Sequence, residues 1–359
     1  MIDPDAFAAL LCDWCLEVAQ AQQVLVRSTT LAEPLLGAMH RAIIARGAWP
    51  IMRIERPAEA EEFYELASDL HLDSFPAVDL AEVEQVDSHL RIDAPANLRA
   101  LGWVDPERTA RAMRARAPVR EARFGKRWCV TMWPTAAHAQ EAGVGEREYA
   151  AFLNRALFLD QSDAPGAWRE LSRRQQLLVE RLMDSREIRI EAEGTDLTLR
   201  VDGRRWINSD GRRNMPSGEV FTGPLEDSAN GTIRFTVPSN RNGATVDEAE
   251  LAFTNGEVSV AHARRGNEQL QAALAIDSGA RFLGEIGIGT NAGIDRPTGS
   301  TLLDEKIAGT VHLALGRSYP ETGGTNSSAL HWDLICDLRA GGRLSADGEA
   351  LDLEPFTGA

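Results

Sequence analysis

The segment SSALHWDLICDL (327–338) contains a histidine and an aspartate, His331 and Asp333, within an otherwise apolar run. Residues two apart in a β-strand point to the same face, so these two side chains would project together. Burying an imidazole beside a carboxylate is costly unless the two groups hydrogen-bond or bind a shared cation. The pair therefore indicates either part of a metal site or a satisfied buried ion pair.

Two further strand-like segments each carry a potential ligand followed by small residues. In FLGEIGIGTNAG (282–293), Glu285 would share its face with two glycines, and in LLDEKIAGTVHLALGRSY (302–319), His312 would share its face with an alanine and a glycine. Glycine inside a strand often marks the close approach of a ligand or of another backbone. Each segment thus predicts a polar side chain that faces a space without bulky neighbours.

Two more acidic residues accompany these candidates, Glu219 in NMPSGEVFTGP (214–224) and Glu305 next to Lys306. Taken alone, the segment around Glu219 would also fit a surface turn, and Asp304, Glu305 and Lys306 would also fit a solvated charge cluster. Together, four carboxylates and two imidazoles suit zinc, cobalt or manganese, and they exceed what one tetrahedral ion requires. They fit two ions that share a carboxylate and a water. The candidate ligands are Glu219, Glu285, Glu305, His312, His331 and Asp333.

The elements that must position these residues differ between the two halves of the chain. Residues 1–184 alternate between helical patterns and short strands, which predicts an N-terminal α/β domain with a mixed or parallel sheet. Residues 185–359 show period-two alternation and many glycines, beginning with a predicted hairpin at Gly194. This pattern predicts a strand-rich α+β domain, and every candidate ligand lies in it.

Composition limits the classes of partner. The chain has 359 residues, 43% hydrophobic and 26% charged, with a formal net charge of −16. Such an acidic chain repels phosphate backbones, so nucleic acid is not an expected partner. No apolar run has the roughly 18 residues of a membrane span, and the first residues lack the pattern of a signal peptide. We therefore expect a cytoplasmic protein that does not bind membranes.

Two short motifs have simpler interpretations than their spacing suggests. The CDWC segment (12–15) has the spacing of a redox dithiol, but no strand pattern precedes it, so buried and reduced cysteines are expected. The Gly-x-Gly of GEIGIGTN is not followed by a helical pattern, which argues against a dinucleotide-binding fingerprint. Neither motif predicts a cofactor.

Four blocks of the sequence resemble the signature blocks of the thermophilic metallo-aminopeptidases, the aminopeptidase T family. They are NMPSGEVFTGP, GEIGIGTN, DEKIAGTVHLALGRSYPETGG and NSSALHWD, and they occur in the same order. The resemblance extends over the whole chain. It implies a hydrolase that removes N-terminal residues, including hydrophobic ones such as leucine, from short peptides. It also implies two divalent metal ions per chain and a homodimer.

The resemblance assigns roles to individual residues. It implies that Glu285 lies between the two ions and acts as the general base for the attacking water. It implies that Tyr319, seven residues after His312, takes part in catalysis. The metal ligands that it implies are Glu219, Glu285, Glu305, His312, His331 and Asp333.

Two other functions remain compatible with parts of this pattern. His312, His331 and Asp333 alone would form the two-histidine, one-carboxylate triad of mononuclear Fe(II) dioxygenases that cleave rings. Such a site would leave Glu219 and Glu285 without a role. A binding protein that has lost its chemistry would lack a ligand or the tyrosine, and both are present here.

Overall fold

The computed structural model describes residues 2–241 and 244–357. Within these ranges the chain forms two compact units, one with a parallel sheet and helices and one built mainly of antiparallel strands. This arrangement confirms the predicted fold class. None of the described helices combines the length and the apolar character that are needed to cross a membrane.

The two units are not simply consecutive along the chain. The first runs as far as Ala167 and also contains a later segment, Gly211–Pro216. The second contains Trp168–Asp210 and the chain from Ser217 onward. The sequence predicts a division near residue 185 and gives no indication that a segment of the later chain returns to the first unit.

The helix Ala164–Met183 accounts for the difference at the first boundary. Nε2 of Gln175, near the middle of this helix, donates a hydrogen bond to the carbonyl of Glu219 at 2.8 Å. Leu178 and Leu182 on the same helix are buried. Most of the helix therefore belongs to the second unit, although its charged sequence resembles that of the helices before it.

The first unit contains a five-stranded parallel sheet with the strand order β2-β1-β3-β4-β8 among the described residues. Val24 to Val26 are all buried, which is typical of a parallel strand that is covered on both faces. The strands are β1 (Gln23–Thr29), β2 (Trp49–Glu55), β3 (Ser88–Asp93), β4 (Arg127–Met132) and β8 (Asn214–Met215).

Helices connect these strands, as the alternating sequence pattern predicts. Asp3 caps the first helix by accepting hydrogen bonds from the backbone of Asp5 and Ala6. The helices are α1 (Pro4–Leu10), α2 (Glu33–Ala45), α3 (Glu59–Leu66), α4 (Asp69–Asp73), α5 (Ala77–Gln85), α6 (Pro106–Ala115), α7 (Ala117–Phe124), α8 (Ala136–Glu141) and α9 (Glu146–Ala156). The next helix, α10 (Ala164–Met183), begins in the first unit and continues into the second.

The CDWC segment continues from α1 as a π-helical turn, Leu11–Cys15. Cys12 and Cys15 are buried and neither forms a disulfide with a described residue, which confirms that they are packing cysteines. Burial raises the pKa of the Cys12 thiol to about 12, so the reactive thiolate is disfavoured.

The second unit contains two antiparallel sheets. The larger has the order β11-β12-β10-β6-β5-β17-β18, with β13 paired to β12, and the smaller has the order β16-β15-β14-β9-β7. The strands are β5 (Glu187–Ala192), β6 (Thr195–Arg200), β7 (Ile207–Ser209), β9 (Glu219–Thr222), β10 (Asn230–Phe235), β11 (Ser239–Arg241), β12 (Ala244–Thr254), β13 (Glu257–Arg265), β14 (Leu283–Gly289), β15 (Thr310–Gly316), β16 (His331–Asp337), β17 (Arg343–Ala346) and β18 (Glu349–Ala350). The α-helices are α11 (Asn267–Leu274), α12 (Thr301–Asp304) and α13 (Glu354–Thr357).

Local sequence accounts for the strands of this unit. β5 and β6 form the predicted hairpin, and Gly194 between them has φ 71°, a left-handed conformation that glycine adopts readily. Every residue of β14 and β15 is buried, including the charged ones. The centre of the smaller sheet is therefore the place where buried polar groups need an explanation.

Candidate metal centre

Four neighbouring strands of the smaller sheet carry five of the six predicted ligands. Residues that lie opposite each other in an antiparallel pair share a face, as do residues two apart on one strand. By this register all five side chains emerge from the same face of the sheet. They are Glu219 on β9, Glu285 on β14, His312 on β15, and His331 and Asp333 on β16.

Small residues on β14 and β15 leave room for these side chains. Ala314 lies between Glu285 and Asp333, opposite to both in the register. Gly287 lies opposite His312, and a Cβ on this glycine would overlap the imidazole ring at Cε1 and Nε2. The space that the sequence predicts beside the glycine is thus filled by the His312 ring.

The five side chains form two groups that share Glu285. Nε2 of His312 lies 3.4 Å from Oε1 of Glu285 and 3.5 Å from Oε2 of Glu219. Nε2 of His331 lies 3.6 Å from Oε2 of Glu285 and 3.7 Å from Oδ2 of Asp333. Ligands bound to one tetrahedral cation at about 2.1 Å lie roughly 3.4 Å apart, so these separations suit a shared cation. Within each group all ligand atoms lie within 4.8 Å of one another.

Backbone carbonyls orient both imidazoles. Nδ1 of His312 lies 3.1 Å from the carbonyl oxygen of Glu305, and Nδ1 of His331 lies 2.7 Å from that of Arg317. A carbonyl oxygen can only accept, so each Nδ1 carries a hydrogen and each Nε2 faces the carboxylates, where it can offer its lone pair to a cation once it has given up its own proton. This is the arrangement by which proteins orient histidines that bind metals.

The centre concentrates negative charge in a buried place. Burial raises the pKa of Glu285 and of Asp333, and Oε2 of Glu219 accepts no hydrogen bond. Burial alone would lower the pKa of His312, but its hydrogen bond to Glu285 and the nearby carboxylates raise that pKa to about 10. Positive charge is therefore favoured here, and the mixed carboxylate and imidazole donors fit divalent cations.

Glu305, the sixth predicted ligand, lies outside both groups. Its carboxylate accepts a hydrogen bond from Nζ of Lys306, and the structure does not direct it to the other ligands. Its backbone carbonyl oxygen lies 3.1 Å from Nδ1 of His312, and its role as a ligand stays a prediction. The strand period could not predict this, because Glu305 lies in the turn between α12 and β15, where side chains do not alternate between faces.

Two further residues lie close to the predicted site residues: Lys306, which the sequence already places beside a carboxylate, and Phe221, which it does not single out. Lys306 is completely buried, and its Nζ lies 3.4 Å from Oε1 of Glu219. Phe221, two residues after Glu219 on β9, packs edge-on against Tyr319 with ring centroids 5.6 Å apart. The position of Phe221, two residues after Glu219 and therefore on the same face of the strand, was the available signal for it.

Tyr319 lies beside the second group. Its ring contacts that of His331 edge-on, with centroids 5.1 Å apart. Burial raises the pKa of its phenol well above the ordinary value, and the nearby carboxylates act in the same direction. The hydroxyl therefore remains protonated at neutral pH and can donate a hydrogen bond.

Comparisons with known proteins agree with this geometry. The family model described as "Thermophilic metalloprotease (M29)" matches residues 3–350. "Aminopeptidase 2" of Geobacillus stearothermophilus is 35% identical over 310 residues, which is 74% of each chain. "Aminopeptidase T" of Thermus aquaticus is 31% identical over 250 residues, covering 62% of this chain and 61% of that protein.

Two solved structures share the fold. Wild-type AmpT from Thermus thermophilus superposes with a TM-score of 0.83 at 24% identity, covering 97% of this chain and 96% of that one. A 2,5-dihydroxypyridine dioxygenase from Pseudomonas putida KT2440 superposes with a TM-score of 0.61 at 16% identity, covering 98% and 95%. At these identities the likeness concerns the fold alone.

Proposed function

This chain belongs to the thermophilic metalloprotease family and is a metal-dependent aminopeptidase, and we propose that two divalent cations act at its carboxylate–imidazole centre. By this centre we mean Glu219, Glu285, His312, His331 and Asp333. The observation that carries the proposal is the position of Glu285, which turns one carboxylate oxygen to each group of ligands.

Charge balance supports two cations. The three carboxylates of the centre carry a charge of −3, and the Lys306–Glu305 pair beside them is neutral. One divalent cation would leave a buried charge of −1. Two divalent cations would leave a charge of +1, which an anionic nucleophile such as hydroxide would neutralise. This matters because an uncompensated buried charge is costly.

The chain's own groups can carry out hydrolysis at this centre. When bound, divalent cations supply Lewis acidity and lower the pKa of water from about 15.7 towards 7. Glu285 is positioned to accept the proton of the attacking water and to pass it to the leaving amine. Tyr319 would donate a hydrogen bond to the oxyanion that develops on the scissile carbonyl.

The dioxygenase alternative is not favoured by the arrangement of the ligands. In the described residues His312 groups with Glu219 and Glu285, whereas His331 and Asp333 form the other group with Glu285. The triad that a mononuclear iron site needs is therefore divided between two groups. The dioxygenase with the same fold is too distant in sequence to lend that activity to this chain.

Several finer properties belong to the same proposal. We propose that the ions are zinc, cobalt or manganese, since the donors are oxygen and imidazole nitrogen. The proposed substrates are short peptides, including those that begin with leucine. We also propose that the protein is a cytoplasmic homodimer. The substrate class and the homodimer rest on the resemblance of the sequence blocks to the aminopeptidase T family.

The test is leucine release from a dipeptide that begins with leucine. Metal-stripped protein would be supplied separately with Co²⁺, Zn²⁺, Mn²⁺ or Fe²⁺, and the bound metal would be counted in the same samples. We expect activity that requires about two ions per chain. One bound Fe²⁺ per chain with no cleavage under any metal would overturn the proposal in favour of an oxygenase.

A further inference from the structure

We propose that Lys306 is a positioning residue for one of the two cation sites, an inference that rests on the proposed two-cation centre. The ammonium group of Lys306 holds Oε1 of Glu219. Only Oε2 of Glu219 then remains to bind a cation together with Glu285 and His312. The cation held by that group would then depend on Lys306, and the cation held with His331 and Asp333 would not.

The two oxygens of Glu219 have different surroundings. Oε1 lies 3.4 Å from Nζ of Lys306, whereas Oε2 lies 3.5 Å from Nε2 of His312 and accepts no hydrogen bond. A buried carboxylate oxygen without a partner is costly. Its position next to an imidazole lone pair is what a single-oxygen metal ligand requires, and the ammonium prevents the carboxylate from turning both oxygens to the cation.

The backbone holds Lys306 and Glu219 in a fixed relation. The backbone N–H of Asn291 donates to the carbonyl of Lys306 at 3.0 Å, and Nδ2 of Asn291 donates to the carbonyl of Ser217 at 2.7 Å. Gln175 fixes Glu219 itself by donating to its carbonyl at 2.8 Å. The distance between ammonium and carboxylate is thus set by the framework as well as by their attraction.

Glu305 explains how an ammonium group is tolerated beside a cation site. A lone buried lysine would repel a divalent cation, but the carboxylate of Glu305 pairs with Lys306 and makes the two neutral together. The carbonyl of Glu305 also orients His312. The dipeptide 305–306 therefore positions two ligands of one group, while His331 in the other group is oriented by Arg317.

The inference is tested by titrating metal-free protein with Co²⁺, followed by calorimetry and by visible absorption of the bound ion. The wild-type chain should bind two ions. Lys306→Met should weaken one ion by about 10- to 100-fold, as losses of groups that support metal ligands do, and leave the other unchanged. Lys306→Arg, which keeps the charge with a different shape, should give a smaller loss of the same ion.

Two further variants complete the test. Glu305→Gln should weaken the same ion, since it leaves an unpaired ammonium beside that site, and it keeps the test informative if Lys306→Met does not fold. Arg343→Met, which removes an exposed cation from β17, is the matched control and should bind both ions as the wild type does.

The outcomes separate the inference from the function on which it rests. A wild-type chain that binds fewer than two ions would overturn the two-cation proposal whatever the variants do. A wild type with two ions, together with Lys306 variants that bind both ions normally or weaken both equally, would overturn only the positioning role of Lys306.

Discussion

Glu285 belongs to both groups of candidate ligands, and it is also the residue that we propose as the proton acceptor. Glu285→Gln keeps the shape of the side chain but cannot act as a base and is a weaker ligand. We expect kcat for leucine release to fall by at least about 10²- to 10⁴-fold. Steady-state kinetics with counting of bound metal would measure this.

Glu268→Gln on α11, an exposed position, is the control and should leave kcat unchanged. A Glu285→Gln chain that keeps even a tenth of the wild-type kcat with both ions bound would contradict a role for Glu285 in proton transfer.

The proposed role of Tyr319 depends on its hydroxyl group alone. Tyr319→Phe removes only the hydroxyl and keeps the ring contacts with Phe221 and His331. Losing one donor to a developing oxyanion typically lowers kcat by about 10²- to 10³-fold, and we expect a loss of this size with metal content and KM nearly unchanged.

Tyr64→Phe in the first unit, where the ring packs on Phe63, should have no effect and is the control. If the phenol has only a packing role, Tyr319→Phe should instead behave like this control, and the catalytic assignment would fail.

Sequence reasoning was effective for residues on strands. Glu285, His312, His331 and Asp333 could be placed together because alternation assigns their faces. Glu305 and Lys306 lie in a turn, where the direction of a side chain depends on the backbone dihedrals of a few residues. Their ion pair, and hence the position of the Glu305 carboxylate, could not be read from spacing.

At the scale of elements, the close packing of β14 on β15 is a condition for the centre. A Cβ at position 287 would overlap the His312 ring, so Gly287→Ala must displace the imidazole or separate the strands. We expect weaker binding of the ion held with Glu219 and a loss of activity. Isothermal titration with Co²⁺ measures the first effect directly.

Gly145→Ala is a matched control, because nothing lies within 4 Å of a Cβ there and its φ is −77°. It should bind metal normally. A Gly287→Ala chain with unchanged affinity for both ions would show that His312 is free to move without cost.

The strand β3 contains a buried histidine that makes the first unit sensitive to acid. Burial lowers the pKa of His89 to about 4, with Arg123 and Arg213 acting in the same direction. The folded pKa is below the ordinary 6.5, so the stability from keeping the ring neutral is complete above pH 6.5 and is lost as the pH falls towards 4. The loss should reach about 3 kcal/mol.

Urea unfolding between pH 7 and 4 measures this effect. His89→Gln should flatten the decline in stability over that range, whereas His262→Gln at an exposed position of β13 should not. Equal slopes for wild type and His89→Gln would rule out the contribution of this residue.

At the scale of the whole molecule, cation binding should contribute to stability, since the unfolded chain cannot assemble the centre. An ion present at 100 times its Kd adds about 2.7 kcal/mol if it binds only the folded state. Removing metal with a chelator should therefore lower Tm in a calorimetric scan, and restoring the active metal should recover it. An unchanged Tm, with metal loss verified by counting, would contradict ligation by this centre.

Most of the architecture follows from periodicity, but the path of the chain between the units does not. Helix–strand alternation predicts the parallel sheet, and period-two alternation predicts the antiparallel strands. The addition of β8 to the edge of the parallel sheet depends on pairing between Val130 and Asn214, which are distant in sequence. A two-residue strand has no periodic signal of its own.

The proposed ligands of the centre lie on four strands between Glu219 and Asp333. All four strands have to pair before both groups of ligands can form. During synthesis, a chain that has not yet released β16 from the ribosome holds at most the Glu219–Glu285–His312 group. Such a chain lacks His331 and Asp333, so under the proposed two-cation mechanism it would have no peptidase activity.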